Sequence, residues 1–435
     1  MSTFGVAVEG RVSGWTSRRR QAGLTGSLVL SLAMVSSGAL AWIFHVLVAR
    51  SLGPEQYGRI AVLWAAMFLS AVVLFRPLEQ TLARGLSERL AHGEGASGFV
   101  RAVARLYLCT ALAVIAAVAI AWRPLTDHLF LGSQFLTVLL AVGVVGYGCA
   151  YLVRGLASGS LWFRGYGLGL LADGVARLAL ALPLLVIAST GLAGTVVAVT
   201  ALAGVVVPLV VGRHRLWPLL RRTADAPIQV RGVLAFAAPA SAITAADQVL
   251  INGAPILVML AGGADAGSAA AIVFAATMLV RVPVYLFQGV ATSLLPGLTG
   301  YHARGDSAAF RRTLLRVTGT ICLLVPLFVA AAAAAGPSLL ALAFGSEFAA
   351  GRLELALLAA GVGFYLLLAT ASQGLLALAR VGHAAVAWWV AVGGYVGVYL
   401  AVEGEQVLRV AVGFAAGTLA GVLAVGLMAA RVLRR

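Results

Sequence analysis

Twelve separate stretches, each about as long as a bilayer is thick, run through this chain with almost no charge inside them. A membrane-crossing helix needs about twenty mainly apolar residues. Such runs fall at 24–48, 60–82, 102–122, 135–156, 166–189, 191–212, 233–260, 269–292, 314–335, 353–377, 384–402 and 408–430. Composition leaves no competing class: 61% of the 435 residues are hydrophobic and 11% are charged. A soluble domain carries roughly 25% charged residues to cover its surface. The expectation is therefore an all-α integral membrane protein of about twelve transmembrane helices.

The charges that remain are lopsided. The net formal charge is +16. All 31 basic residues are arginine, which reads as a compositional bias rather than a demand for guanidinium at every site. Basic proteins often bind nucleic acid. Here the arginines lie mainly in short loops between apolar runs, where they set orientation in the bilayer. With a cytoplasmic N-terminus, 23 arginines fall on the cytoplasmic side, Arg18, Arg19 and Arg20 among them. Five (Arg50, Arg59, Arg123, Arg352 and Arg409) fall on the other side. Both termini are thus expected in the cytoplasm, as in a multi-pass protein of a bacterial inner membrane. The first run is too long for the apolar core of a cleaved signal peptide and is read as a retained helix. Cys109, Cys149 and Cys322 fall within apolar runs without metal-site spacing and are expected as buried small hydrophobes.

The longest interior polar stretch, 213–232, divides the chain. The implied organisation is a cytoplasmic tail at 1–23, a six-helix lobe at 24–212, a cytoplasmic linker at 213–232 and a second six-helix lobe at 233–435. The segment LFRPLEQTLARGLSERLAHGE (74–94) has a counterpart in LVRVPVYLFQGVATSLLPGLTGYHARGD (279–306). Each places an Arg, then a Pro within two residues, ahead of a basic loop. Two such lobes around a central cavity are the architecture of transporters built by duplication.

Three stretches add a family likeness. VARSLGPEQYG at the end of the first run, YLVRGLASGSLWFRGYGLGLLADGVARLALAL (151–182) and RVPVYLFQGVATSLLPGL (281–298) are involved. In this order they resemble the polysaccharide-flippase branch of the multidrug/oligosaccharidyl-lipid/polysaccharide exporter superfamily. The resemblance implies two lobes around a cavity and movement of a lipid-linked saccharide from the inner to the outer leaflet. The seventh span departs from that pattern: Ala254 and Pro255 stand where many relatives carry a further acid, and Asp247 lies earlier.

Six charges lie in or near the central zone of the apolar runs: Arg76, Glu79, Asp173, Arg177, Asp247 and Arg281. A charge near the bilayer centre costs at least ~2.5–3.5 kcal/mol and normally faces a bundle interior or a wet cavity. Arg281 lies about 18 Å into its span, counting 1.5 Å per residue. It either faces the cavity, where its rigid fork suits a pyrophosphate, or pairs with Asp247 on the neighbouring helix. Arg76 either lines the cavity or snorkels toward the interface beside Glu79. Asp173 and Arg177, four residues apart, read first as a self-neutralising pair. A cavity role for Arg177 and a coupling role for Asp173 are the alternatives. Pro77 and Pro283, beside the cavity arginines, are hinge candidates.

The function expected is therefore a flippase. It would capture a polyprenyl-pyrophosphate-linked saccharide at Arg281, Arg76 and Arg177 and carry it outward by alternating access. No cofactor or metal is expected, and without Lys there is no phosphate-loop motif for ATP. The drive would be an ion gradient or the membrane potential. A membrane polymerase or glycosyltransferase would need acids gathered in large outer loops. Here Glu55, Asp127, Asp265, Glu347, Glu403 and Glu405 are scattered. A multidrug exporter of the same superfamily is the other alternative. The expected partners are membrane lipid and a polymerase or ligase that uses the exported saccharide; the protein itself is expected as a monomer, with no nucleic acid.

Overall fold

In the computed structural model the backbone is described for residues 3–220, 230–263 and 265–433, and most side chains from Val29 to Met428. Residues 221–229, in the middle of the expected linker, lie outside the described residues, as do the side chains of the expected N-terminal tail.

The chain is all-helical. In order the helices are α1 (Thr3–His92), α2 (Ser97–Ile120), α3 (Gln134–Gly159), α4 (Phe163–Ala181), α5 (Thr190–Val199), α6 (Ala201–Val211), α7 (Arg213–Leu220), α8 (Val230–Ala261), α9 (Ala266–Val280), α10 (Val282–Ala303), α11 (Ser307–Phe344), α12 (Arg352–Ala377), α13 (Val381–Ala401) and α14 (Gln406–Leu433). Among the described residues ten helices are long and apolar enough to cross a membrane. The first of them, Val29–His92, is two arms in one. Gly53 (φ 71°, ψ 172°) takes a backbone conformation that breaks the helix, and Pro54 restarts it at a first-turn position where no N–H is needed. The expected run at 269–292 falls on α9 and α10, joined through Arg281; α9 is apolar but shorter than the ten. Counting α1 as two arms and this broken pair as one run gives the twelve runs of the sequence.

Local chemistry sets the ends. Ser133, Ser189 and Asp306 accept from the N–H of Leu136, Leu192 and Ala309 at 3.3, 3.2 and 2.8 Å, each the side chain just ahead of a helix. Pro183 turns the end of α4 into a short 3₁₀ segment, Leu182–Leu185, which makes the tight turn before Ser189. The expected single run at 269–292 is broken at Arg281 (φ −80°, ψ −8°), because Pro283 has no N–H to continue α9. Pro77, by contrast, lies inside α1, where Gly53 alone departs from helical angles.

Helices α1 to α6 pack on one another, with both arms of α1 against α3 and α4. Helices α8 to α14 form a second set, in which α14 packs on α12 and α13. The two sets meet mainly where α1 lies against α8 and α9. Backbones approach closely through small residues: a Cβ on Gly148 would come within 2.8 Å of the Phe75 ring, and one on Gly143 would collide with Met67 Sδ. Large apolar side chains such as Leu323, Leu327 and Val186 stay exposed, forming the belt a bilayer would cover. The three cysteines belong to that belt. Contrary to the expectation of burial, Cys109, Cys149 and Cys322 are all exposed and free. An apolar run in a membrane span marks contact with lipid as readily as contact with protein.

Candidate functional site

The intramembrane charges separate into three settings. In the first, α4 places Asp173 and Arg177 one turn apart, facing Tyr147 of α3. Arg177 Nη2 donates to Asp173 Oδ2 at 2.6 Å and to the Tyr147 hydroxyl at 2.6 Å. Tyr147 lies 3.2 Å from both carboxylate oxygens as a donor. The guanidinium also sits 4.7 Å over the Trp64 ring. Arg177 is 2% exposed. Arg177 is thus tied through Nη2 to its own lobe, while its buried Nε has no hydrogen-bond partner among the described residues.

The second setting is the wall formed by the second arm of α1 with α3 and α4. Glu79 is buried, with Tyr166 among its polar neighbours. It lies within Coulombic reach of Arg154 and Arg76. Arg154 is buried on α3, with its guanidinium 5.3 Å over the Tyr151 ring. Arg76 differs from all of these. Its side chain is exposed, although its electrostatic neighbours include Tyr151, Glu79 and Tyr166 from one lobe and Asp247 from the other. A side chain that is open yet surrounded from both lobes lines the cleft between them.

The third setting faces it from the second lobe. Asp247 accepts from the Tyr365 hydroxyl at 2.5 Å and from Gln248 Nε2 at 3.0 Å. Asn252 in turn donates to Gln248 at 2.9 Å. Arg281 is buried at the α9–α10 joint and hydrogen-bonded to Tyr285. With Thr277, Tyr365 and Tyr395 it lines a cavity of about 20 Å³, room for roughly one water. The alternative of an Arg281–Asp247 ion pair is not realised: among the described residues no carboxylate oxygen comes within 4.0 Å of Arg281. Asp247 instead feels Arg281 and Arg76 together, at the meeting of the lobes.

Electrostatic contact thus links Glu79 to Arg76, Arg76 to Asp247 and Asp247 to Arg281, whereas Asp173 and Arg177 are bonded to each other and to Tyr147. The reading of the sequence does not single out Arg154 or the tyrosines. A signal is present nonetheless: Tyr147, Tyr151 and Arg154 follow at spacings of four and three, which put them on one face of α3. Arg154 stands near the end of its run, where an arginine passes for a loop residue. Among the described residues no three His, Cys, Asp or Glu side chains gather as metal ligands.

No family model matches the chain. It is 27% identical over 338 residues, 74% of its length and 73% of theirs, to uncharacterized proteins of two Mycobacterium tuberculosis strains, CDC 1551 / Oshkosh and ATCC 25618 / H37Rv. Solved structures decide more. An inward-facing multidrug resistance MATE family transporter of the MOP superfamily is similar with a TM-score of 0.76, over 93% of this chain and 98% of that one, at 16% identity. The fold is that of a MATE-like transporter. An outward-facing MATE family transporter of the MOP superfamily is similar with a TM-score of 0.62, over 94% and 95% of the two chains, at 16% identity. A MOP superfamily transporter from Pyrococcus furiosus, described with a binding pocket of reverse polarity, gives 0.66 over 94% and 96%, also at 16% identity. The MATE-like fold is therefore known in both inward- and outward-facing conformations. Its multi-pass helical form agrees with the apolar belt.

Proposed function

We propose that this protein is a flippase. It would move a polyprenyl-pyrophosphate-linked saccharide from the cytoplasmic to the outer leaflet by alternating access, in the service of cell-surface polysaccharide synthesis. The observation that carries the reading is the state of two arginines. Among the described residues Arg281 has no carboxylate partner, Arg76 is exposed, and both lie within electrostatic reach of Asp247. Two guanidiniums with donors to spare suit the oxygens of a pyrophosphate, which each can grip in bidentate fashion. Arg177 is not in this set; its Nη2 is used by Asp173 and Tyr147 within its own lobe.

In this reading the arginine-rich end of the bundle faces the cytoplasm, with both termini there. The saccharide occupies the cleft while the prenyl tail stays in lipid. Drive comes from an ion gradient or membrane potential, and a polymerase or ligase consumes the exported product. A multidrug exporter is the second reading, favoured by Asp247 and Glu79 in the same cleft, since acids there could hold a cationic drug. Leaflet-resolved transport in liposomes separates the two. Wild-type protein should flip a polyprenyl-pyrophosphate saccharide, Arg281→Ala and Arg76→Ala should each lose most of that activity, and a cationic dye should not compete. Normal flipping by both variants, or transport of the dye alone, would reject the flippase.

A further inference from the structure

At the end of the bundle away from the arginine-rich loops, the two lobes are in contact. A Cβ on Gly58 in α1 would run into the carbonyl oxygen of Gly267 in α9, so the two backbones touch directly. Around this point aromatic rings cross the boundary: Tyr57 with Phe348 at 5.7 Å, Trp42 with Phe344 at 6.2 Å and His45 with Phe274 at 4.8 Å. These contacts are apolar and undirected. One contact is not.

Helix α11 ends at Phe344, stopped by Gly345 at φ 114°. Its last carbonyls have no partner within the helix and carry the negative end of the helix dipole. Arg50, at the end of the first arm of α1, supplies what is missing. Its Nε donates to the Ala343 carbonyl at 2.7 Å, and its Nη2 donates to the Leu342 carbonyl. The residues are 293 positions apart and belong to different lobes. A cation that caps the C-terminus of a helix is ordinary; here the cap comes from the lobe that must move away if this end opens. The planar fork of arginine serves two successive carbonyls at once with its donors already set in place.

We propose that Arg50 is the lock of this gate, holding the MATE-like fold closed at the outer end until the lobes rock apart. The proposal rests on the alternating-access reading. A built-in control exists at the same end. Arg409 donates through Nε and Nη2 to the Tyr399 carbonyl at 3.1 and 3.0 Å, the same chemistry at the end of α13. Donor and acceptor lie in one lobe, so it caps without crossing the gate.

The test is a distance measurement between spin labels at Val186 and Leu353, exposed positions at this end of opposite lobes, with the three native cysteines replaced by serine. Arg50→Ala should raise the ratio of long (open) to short (closed) distances by about tenfold, as befits hydrogen bonds to a charged group. Arg50→Lys should lie between Arg50→Ala and wild type. Arg409→Ala should leave the ratio at its wild-type value. If Arg50→Ala fails to fold, the Lys variant decides. An unchanged ratio in a folded Arg50 variant, or an equal shift in Arg409→Ala, overturns the lock. A single distance in every variant overturns alternation and the lock together. A shifted ratio in protein that flips no saccharide keeps the lock and removes the cargo.

Discussion

Removing Asp173 and removing Arg281 should have opposite consequences, although each alters one arm of the intramembrane charge set. Asp173 carries the carboxylate bonded to Arg177, at 2.6 Å, and Arg177 is 2% exposed beneath Trp64. Asp173→Asn would leave a guanidinium buried with one neutral phenol and no bonded counter-charge. Breaking a buried pair from one side costs about 3–5 kcal/mol. Replacing both members, Asp173→Asn with Arg177→Met, removes the stranded charge and should recover most of that loss, since swapping a buried pair for apolar bulk is often neutral. Arg281 strands nothing when it goes, because no carboxylate among the described residues is bonded to it. Arg281→Met should therefore be neutral or stabilising by up to ~3 kcal/mol, the cost of holding a charge at depth. Chemical unfolding in detergent, followed by tryptophan fluorescence, measures wild type, these three variants and Arg177→Met, and liposome flipping measures what each retains. The double variant should flip and Arg281→Met should not. The reasoning fails if Asp173→Asn loses less than about 1 kcal/mol, or if Arg177→Met is stable and yet inactive.

Two further substitutions separate the gate from the lobes. Gly58→Ala drives a methyl group into the Gly267 carbonyl oxygen, where neither backbone can yield without parting the lobes. The open-to-closed ratio at the Val186–Leu353 label pair should rise by at least about tenfold; an unchanged ratio would mean that this contact does not hold the gate. Gly417→Ala brings a comparable clash with the Tyr395 backbone nitrogen, but wholly between α13 and α14. It should cost about 1–3 kcal/mol in unfolding experiments and leave the label distances alone.

The topology was legible because hydropathy reports the boundary between water and everything else. Each apolar run corresponds to a crossing, and the tight turn near 189–191 has its cause in Pro183 and Ser189, both visible in the sequence. What hydropathy does not separate is lipid from protein interior, and the expected burial of Cys109, Cys149 and Cys322 fails for that reason. Partner choice was legible only where it is local. Asp173 and Arg177 sit one turn apart, and their pairing needed no more than helical geometry. Depth alone matches Asp247 to Arg281, but the acid bonds Tyr365, 118 residues away on α12. A hydroxyl on an apolar helix gives no sign in the sequence of which acid it will meet. The Arg50 cap has the same character: a loop arginine reads as an orientation signal, and its bond to a helix end in the other lobe exists only once the lobes are docked.

The sign of the cargo turns on Asp247. Of the other intramembrane acids, Glu79 is in reach of Arg154 and Arg76, and Asp173 is used by Arg177, so neither opposes Arg281 directly. Asp247 does, being in reach of both Arg281 and Arg76. Its carboxylate already has two hydrogen-bond donors, which hold it without taking a guanidinium. For an anionic cargo Asp247 is a competitor: a pyrophosphate that enters must displace its claim on the arginines. Asp247→Asn keeps the side-chain shape and removes that competition. A unit charge near a half-wet site is worth about 1–4 kcal/mol between the limits of bulk water and a protein surface. The Asp247→Asn variant should hence bind pyrophosphate at least about fivefold more tightly, measured by calorimetry with inorganic pyrophosphate, and adding Arg281→Ala should abolish the gain. For a cationic cargo the same substitution removes the ligand's counter-charge. Loss of cationic-dye transport in Asp247→Asn, with no gain in pyrophosphate affinity, would show that the two arginines serve to tune an acid rather than to grip an anion.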